Sequence, residues 1–162
     1  MKNEIIILVS VRSESKRLKN KALKKVSTLP FIIYLFNYLK KNNKYKIILC
    51  TTKNKSDDKI EKVAKNENIE VFRGSDIDVA KRFLAAANLY KAKTVIRVTG
   101  DNPFTNPYHL QKMVDLHIKS KNDYTYCDQL PIGTTGEVID IKVLKKCYEL
   151  IQDKNSSEYL SW

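Results

Sequence analysis

The unbroken aliphatic run Ile5-Ile6-Ile7-Leu8-Val9 constrains the fold more than any other stretch of the chain. A strand with one wet face alternates apolar and polar residues, so an unbroken run predicts a strand covered on both faces, as in a parallel sheet between two layers of helices. Comparable runs recur at Lys46 to Cys50, Ile69 to Phe72 and Thr94 to Val98, with a weaker segment at Asp123 to Cys127 and another at Glu137 to Ile141. Helical patterns fill the gaps. Pro30 suits the first turn of a helix over Phe31 to Leu39, and Ser56, ahead of Asp57 and Asp58, suits the cap of a second helix reaching Asn68. Asp76 or Asp78 can cap a third helix ending near Tyr90, and Asn106-Pro107 opens a fourth with Leu110, Met113, Val114 and His117 on one face. His109 and His117 are read as lying outside any site.

This alternation predicts an α/β fold: a doubly wound, mostly parallel sheet in a three-layer α/β/α arrangement, one domain over residues 1–162. In such sheets ligands bind beyond the carboxyl ends of the strands, so the loops that follow those ends are the candidates for chemistry.

Several function classes fall away on composition. No apolar run is long enough to span a bilayer, and no small-residue cleavage site follows Ile5 to Val11, so no membrane is expected and the expected location is the cytoplasm. Cys50, Cys127 and Cys147 are odd in number and lack close pairing, which argues against a disulfide framework or a zinc site. The net charge of +12 raises the possibility of a nucleic-acid partner. The basic loop lacks interleaved aromatics, however, and there is no helix-turn-helix pattern, so a nucleic-acid-binding domain stands only as a rival reading and none is expected to bind.

Arginine is more informative than net charge, because its planar fork grips phosphate or carboxylate as lysine cannot. Only Arg12, Arg17, Arg73, Arg82 and Arg97 are arginine, and each falls in or beside a strand-to-loop transition. The segment after the first strand, Ser10 to Lys21, gathers Arg12, Lys16, Arg17, Lys19 and Lys21 with the hydroxyls of Ser13 and Ser15. Forked and point-charge donors together suit a triphosphate and can offset charge developing at its α-phosphate. Neither the Gly-x-x-x-x-Gly-Lys loop of ATPases nor a Gly-x-Gly-x-x-Gly dinucleotide turn is present.

Arg12, Ser15, Arg17, Leu18 and Lys21 form R-x-x-S-x-R-L-x-x-K, which resembles the signature of the acylneuraminate cytidylyltransferase family, in particular its spore-coat-polysaccharide branch. Three further blocks agree in order. Val71 to Ser75 with Asp78 to Phe83 is similar to F-R-G-S followed by D-V-x-x-R-F, Arg97 to Phe104 to R-x-T-G-D-x-P-L, and Pro131-x-Gly133 with Glu137-Val138 to P-x-G-x-D-x-E-V. Ser157 to Ser161 resembles a fifth, E-[HY]-x-T. Asn20 stands where the branch has glycine, a substitution that tolerates a left-handed backbone. Thr28-Leu29-Pro30 keeps only the proline of a Gly-x-Pro turn, and Thr135 replaces the aspartate of the fourth block.

The resemblance implies a Rossmann-like nucleotide-diphospho-sugar transferase fold and transfer of CMP from CTP to an acidic sugar, with Mg²⁺ held by Asp101 and assembly as a homodimer. Arg12, Lys21 and Asp101 are then the expected catalytic residues. Ser13, Ser15, Arg17, Asp78, Arg82 and Gly100 are the expected nucleotide contacts, and Gly133 and Glu137 the sugar contacts. Asp78 equally suits a helix cap, and Arg17 equally suits a structural pairing within the loop. A sugar-nucleotide-binding glycosyltransferase is the other rival, since that class shares a related sheet, but the D-x-D it usually carries is absent near Asp101.

Overall fold

The computed structural model describes residues 4–14, 18–41 and 44–150. Its centre is a six-stranded sheet built from β1 (Ile5–Ser10), β4 (Lys46–Thr52), β5 (Glu70–Gly74), β6 (Thr94–Thr99), β7 (Tyr124–Thr125) and β8 (Glu137–Asp140), in the order β5-β4-β1-β6-β8-β7. The first four in that order run parallel, while β8 pairs antiparallel with both β6 and β7. The mostly parallel doubly wound sheet is thus the observed fold.

The aliphatic runs divide between two cores. Ile7, Val9, Leu49, Ile96 and Val98 face α1 (Phe31–Lys41), α2 (Asp58–Asn66) and α4 (Pro107–Ser120). Ile6, Leu8, Ile48, Cys50 and Val95 face α3 (Val79–Leu89) and α5 (Ile141–Leu150). Adjacent residues of β1 therefore serve opposite layers, and Ile6 to Val9 are at most 1% exposed. Each such side chain contributes about 1.5–3 kcal/mol on burial, which is why the run carries no polar residue.

The winding fixes where a ligand can enter. From β1 the chain steps through α1 and α2 to β4 and β5 on one side, then returns through α3 to β6 on the other side of β1. The strand order reverses between β1 and β6, and a crevice opens beyond their carboxyl ends at such a point.

Two local expectations change. Pro30 closes a small hairpin, β2 (Lys25–Val26) with β3 (Leu29–Pro30), and pairs with Lys25; α1 starts one residue later. The hairpin turns on Ser27 at φ 57°, a left-handed residue that sequence gives little reason to expect. Ser56 is not the cap of α2: Lys55–Asp57 wind into a short 3₁₀ turn, and the carboxylate of Asp57 points inward. His117 is buried, with its Nδ1 3.0 Å from Thr125 Oγ1, and burial moves its pKa down from the usual imidazole range. By contrast Asp78 caps α3, accepting from the Lys81 amide at 2.8 Å, and Asn106 caps α4.

Candidate active site at the ends of β1 and β6

The ends of the two strands are bound to each other before any ligand is considered. The amide of Gly100 donates to the carbonyl of Ser10 at 2.8 Å, and a Cβ at position 100 would sit 2.7 Å from Val11 Cβ. Only glycine allows the two loops to approach this closely.

The loop leaving β1 is held at its neck. The amide of Asn20 donates to the carbonyl of Ser13 at 2.8 Å, and Asn20 adopts the left-handed conformation (φ 56°) that its side chain tolerates. Ser13 itself is buried, and its amide donates to Asp57 Oδ1 at 2.6 Å. Asp57 Oδ2 accepts from Thr51 Oγ1 at 2.9 Å, from the Thr52 amide at 3.1 Å and from the Thr52 hydroxyl. Burial alone pushes this carboxyl up, but the hydrogen bonds from Thr52, the Ser13 amide and Thr51 outweigh it and hold its pKa below the ordinary carboxylate value. Asp57 thus clamps the basic loop to the end of β4. The sequence points to Asp57 only as part of a cap, because its main partner lies 44 residues away.

Lys21 emerges where that loop ends, and its Nζ lies 3.1 Å from Asp101 Oδ2, across 80 residues of sequence. The side chains are 45% and 43% exposed, so the pair contributes at most about 1 kcal/mol to stability. Stability does not explain why an ammonium and a carboxylate meet at the switch point with half their surface open to solvent. Arg12 lines a recess of about 140 Å³ with Glu14, Thr52, Asn54 and Asp57, and neither Lys21 nor Asp101 is among its lining residues. Ser15 and Arg17 lie outside the described residues, as does the block Ser157 to Ser161.

Arg82 and Asp78 contact the protein. Arg82 is 2% exposed and donates to the Ser75 carbonyl at 2.6 Å; its stem fills the space that a side chain at Gly74 would occupy, with Arg82 Cγ 2.8 Å from an ideal Cβ there. Asp78, 6% exposed, divides its carboxylate between the Lys81 amide and the Tyr148 hydroxyl at 2.7 Å. Both residues were expected to read the base or ribose. As placed, they brace the turn that joins β5 to α3: Arg82 bonds the Ser75 carbonyl and reaches Ser10 Oγ at 3.5 Å, and Asp78 bonds the Lys81 amide and the Tyr148 hydroxyl.

A larger cavity of about 610 Å³ opens on the other side of β6. Thr99 and Asn102, which flank the Gly100-Asp101 turn, line it, as does Gly133, at φ +86°, where a Cβ would sit 3.1 Å from Asn102 Oδ1. Arg97 Nη1 and Glu137 Oε2, 2.7 Å apart and 14% and 19% exposed, form an ion pair among its lining residues. Glu137 and Gly133 therefore line one cavity. Thr135, in the place of the pattern's aspartate, turns its hydroxyl to Met113 Sδ at 3.0 Å.

Among the described residues no three His, Cys, Asp or Glu side chains converge to hold a metal. Mg²⁺ does not need such a cage, since it takes one or two carboxylates and completes its shell with phosphate oxygens and water. Asp101 offers one partly exposed carboxylate already facing a cation, the Lys21 ammonium, and so fits that requirement.

The sequence matches the cytidylyltransferase family over residues 6–160. It is 34% identical over 159 residues to an uncharacterized protein of Methanocaldococcus jannaschii, covering 98% of this chain and 65% of the relative. It is 31% identical over 147 residues to the spore coat polysaccharide biosynthesis protein SpsF of Bacillus subtilis, covering 88% of this chain and 61% of that one. The chain therefore spans less than two thirds of these relatives. A cytidylyltransferase structure from Leptospira borgpetersenii superposes with a TM-score of 0.90 at 28% identity, covering 97% of this chain and 68% of the other. No helix among the described residues is long and apolar enough to cross a membrane.

Proposed function

The chain belongs to the cytidylyltransferase family, and on that premise we propose that it transfers CMP from CTP to a sugar hydroxyl with release of pyrophosphate. The observation that carries this reading is the meeting of Lys21 with Asp101 at the β1–β6 switch point. A cationic turn and an acidic turn facing one another at the carboxyl edge of a parallel sheet suit a magnesium nucleoside triphosphate held between them.

In this reading Arg12 and Lys21 hold the β- and γ-phosphates, with Ser15 and Arg17 as further donors on the same loop. Asp101 would hold Mg²⁺, which when bound supplies neutralising charge to the phosphate oxygens. The acceptor oxygen attacks the α-phosphorus in line; a new P–O bond forms, the bond to the bridging oxygen of pyrophosphate breaks, and the hydroxyl proton passes to solvent. Lys21 and Arg12 stabilise the charge that grows on the leaving oxygens. Gly100 keeps the two loops close, and Asp57 fixes the loop neck from behind.

The similarity to SpsF supports a place in the spore-coat-polysaccharide branch, and with it a role in surface polysaccharide synthesis. An acidic sugar and a paired assembly rest on the resemblance to that branch alone.

A nucleotide panel tests the proposal. CTP with Mg²⁺ should raise the melting temperature more than ATP, GTP or UTP, with about 2.7 kcal/mol of stabilisation at a hundredfold excess over Kd. Pyrophosphate should then appear only when a sugar is added. An equal response to all four nucleotides would exclude the assignment.

A further inference from the structure

The net charge of this chain sits in one segment. Residues 15–56 hold eleven Lys and one Arg with no Asp or Glu, while the rest of the sequence balances eighteen cations against eighteen carboxylates. The whole +12 therefore belongs to the stretch that runs from the basic loop through the β2–β3 hairpin and α1 to just past β4. On the proposed function the loop cations serve the phosphates. The cations that follow have no such task.

The helix at the centre of this segment has more apolar surface than the sheet covers. Eight of the nine residues from Phe31 to Leu39 are apolar or aromatic, whereas a helix lying on a sheet needs a single apolar stripe. Ile32, Leu35, Phe36 and Leu39 form that stripe and are fully buried. Phe31, Tyr34 and Tyr38 form a second stripe, and with Val26 of the hairpin and Phe104 after β6 they line a recess of about 530 Å³. Phe104 is 75% exposed and Val26 50%, and Tyr34 and Tyr38 are exposed as well. The Tyr34 hydroxyl donates to the Val26 carbonyl at 2.6 Å, which fixes the hairpin against the helix and the ring in its place. Lys41 is the one charged residue of the described lining, and it belongs to none of the described ion pairs.

We propose that this recess docks a partner protein through an acidic amphipathic helix laid along α1, its apolar side chains seated between the aromatic rings and its carboxylates facing Lys41 and the other lysines of the segment. This interaction is independent of the nucleotide assigned to the switch point. Aromatic rings that are already held in place lose little freedom on contact and serve as anchors, and a surface with cations and no carboxylate selects an acidic partner. A second copy of the chain would bring the same acid-free segment against itself, so its charge opposes docking here. A bilayer is flat and would bridge the recess, whereas helix side chains three and four residues apart interdigitate with a stripe of the same spacing.

The probe is a synthetic helix of about fourteen residues, a little longer than α1 at about 1.5 Å per residue, with leucine at every third and fourth position and glutamate on its other faces. One control replaces each glutamate by lysine and a second replaces each leucine by alanine. Binding to the full chain is read from the fluorescence anisotropy of the labelled peptide. The acidic peptide should bind at least about tenfold more tightly than either control, and its margin over the lysine form should shrink as salt rises from about 50 to about 300 mM. Lys41→Glu should reduce that margin about tenfold, weakening the acidic peptide and strengthening the basic one. Tyr38→Ala should lower the affinity of the acidic peptide about tenfold. Both positions are exposed and neither belongs to the switch point, so both variants should melt close to wild type and release pyrophosphate within about twofold of its rate. Equal binding of the three peptides, no binding of any, or an unchanged margin in Lys41→Glu would each overturn the proposal. So would a different occupant of the same face: self-association in sedimentation that Tyr38→Ala abolishes, or capture by phosphatidylglycerol vesicles or duplex DNA that both variants lose and the acidic peptide does not compete away.

Discussion

Two carboxylates stand at the same edge of the sheet and are treated in opposite ways. Asp57 is 1% exposed and accepts from two amides and two hydroxyls. The Asp101 side chain is 43% exposed, and its one described side-chain contact is a single flexible ammonium. A buried carboxylate has to be surrounded by donors or its desolvation would unfold the region, so Asp57 is committed to the protein. Asp101 keeps lone pairs that the protein does not fill. On the proposed function the difference separates a group that builds the site from one that is left for a ligand, and substitution at each tests that separation.

The largest effect should come from the exposed pair. Asp101→Asn and Lys21→Ala should each lower pyrophosphate release by about 100- to 1,000-fold, equivalent to about 3–4 kcal/mol of transition-state stabilisation. Their melting temperatures should stay close to wild type, because an ion pair this open contributes about 1 kcal/mol or less. Rates within a few-fold of wild type in both variants would remove the catalytic assignment, and a large loss of stability would make Asp101 a second structural carboxylate.

Asp57→Ala should show the reverse pattern. It strands the Ser13 and Thr52 amides and costs about 2–3 kcal/mol of stability, read from the midpoint of urea unfolding. The same clamp has a pH signature. The folded pKa of Asp57 is depressed, so its stabilisation is present above the unfolded value of about 3.9 and is lost as pH falls through the folded one. Wild type should therefore lose more stability than Asp57→Asn as pH falls from about 5 into that window, and parallel acid-unfolding curves would show that Asp57 does not hold the loop.

How far this division could be read from sequence depends on the length of chain that separates the partners. The continuous run of β1 revealed a strand covered on both sides, because each of its neighbours in the sequence serves a different layer. Asn20 was legible as a left-handed residue and Asp78 as a cap, since both requirements are set within a few residues. Asp101 was legible from its block, and the topology supplied what the block lacked, namely Lys21 beside it. The role of Asp57 was hidden, because a Ser-Asp-Asp run ahead of a helix looks like a cap and nothing local reveals the Ser13 amide as partner. Arg82 was hidden for a related reason. An arginine on a helix reads as exposed until Gly74 is seen to vacate the space for its stem. The β2–β3 hairpin is only two residues deep on each side, too short for any period to register.

The smallest effect concerns the brace behind the site. Tyr148 on α5 donates its hydroxyl to Asp78 Oδ2 at 2.7 Å, while the other oxygen of Asp78 caps α3, so this contact joins α5 to the turn after β5. Its pKa is raised, first by that hydrogen bond, which favours the neutral phenol. Tyr148→Phe removes the donor and keeps the ring, so it should cost about 0.5–1.5 kcal/mol and leave CTP binding within about twofold of wild type. Asp78 retains its cap in that variant. If instead CTP affinity falls tenfold while stability is unchanged, Asp78 contacts the nucleotide as the sequence block implied, and the boundary between building residues and ligand residues moves outward from Asp57 to include α3.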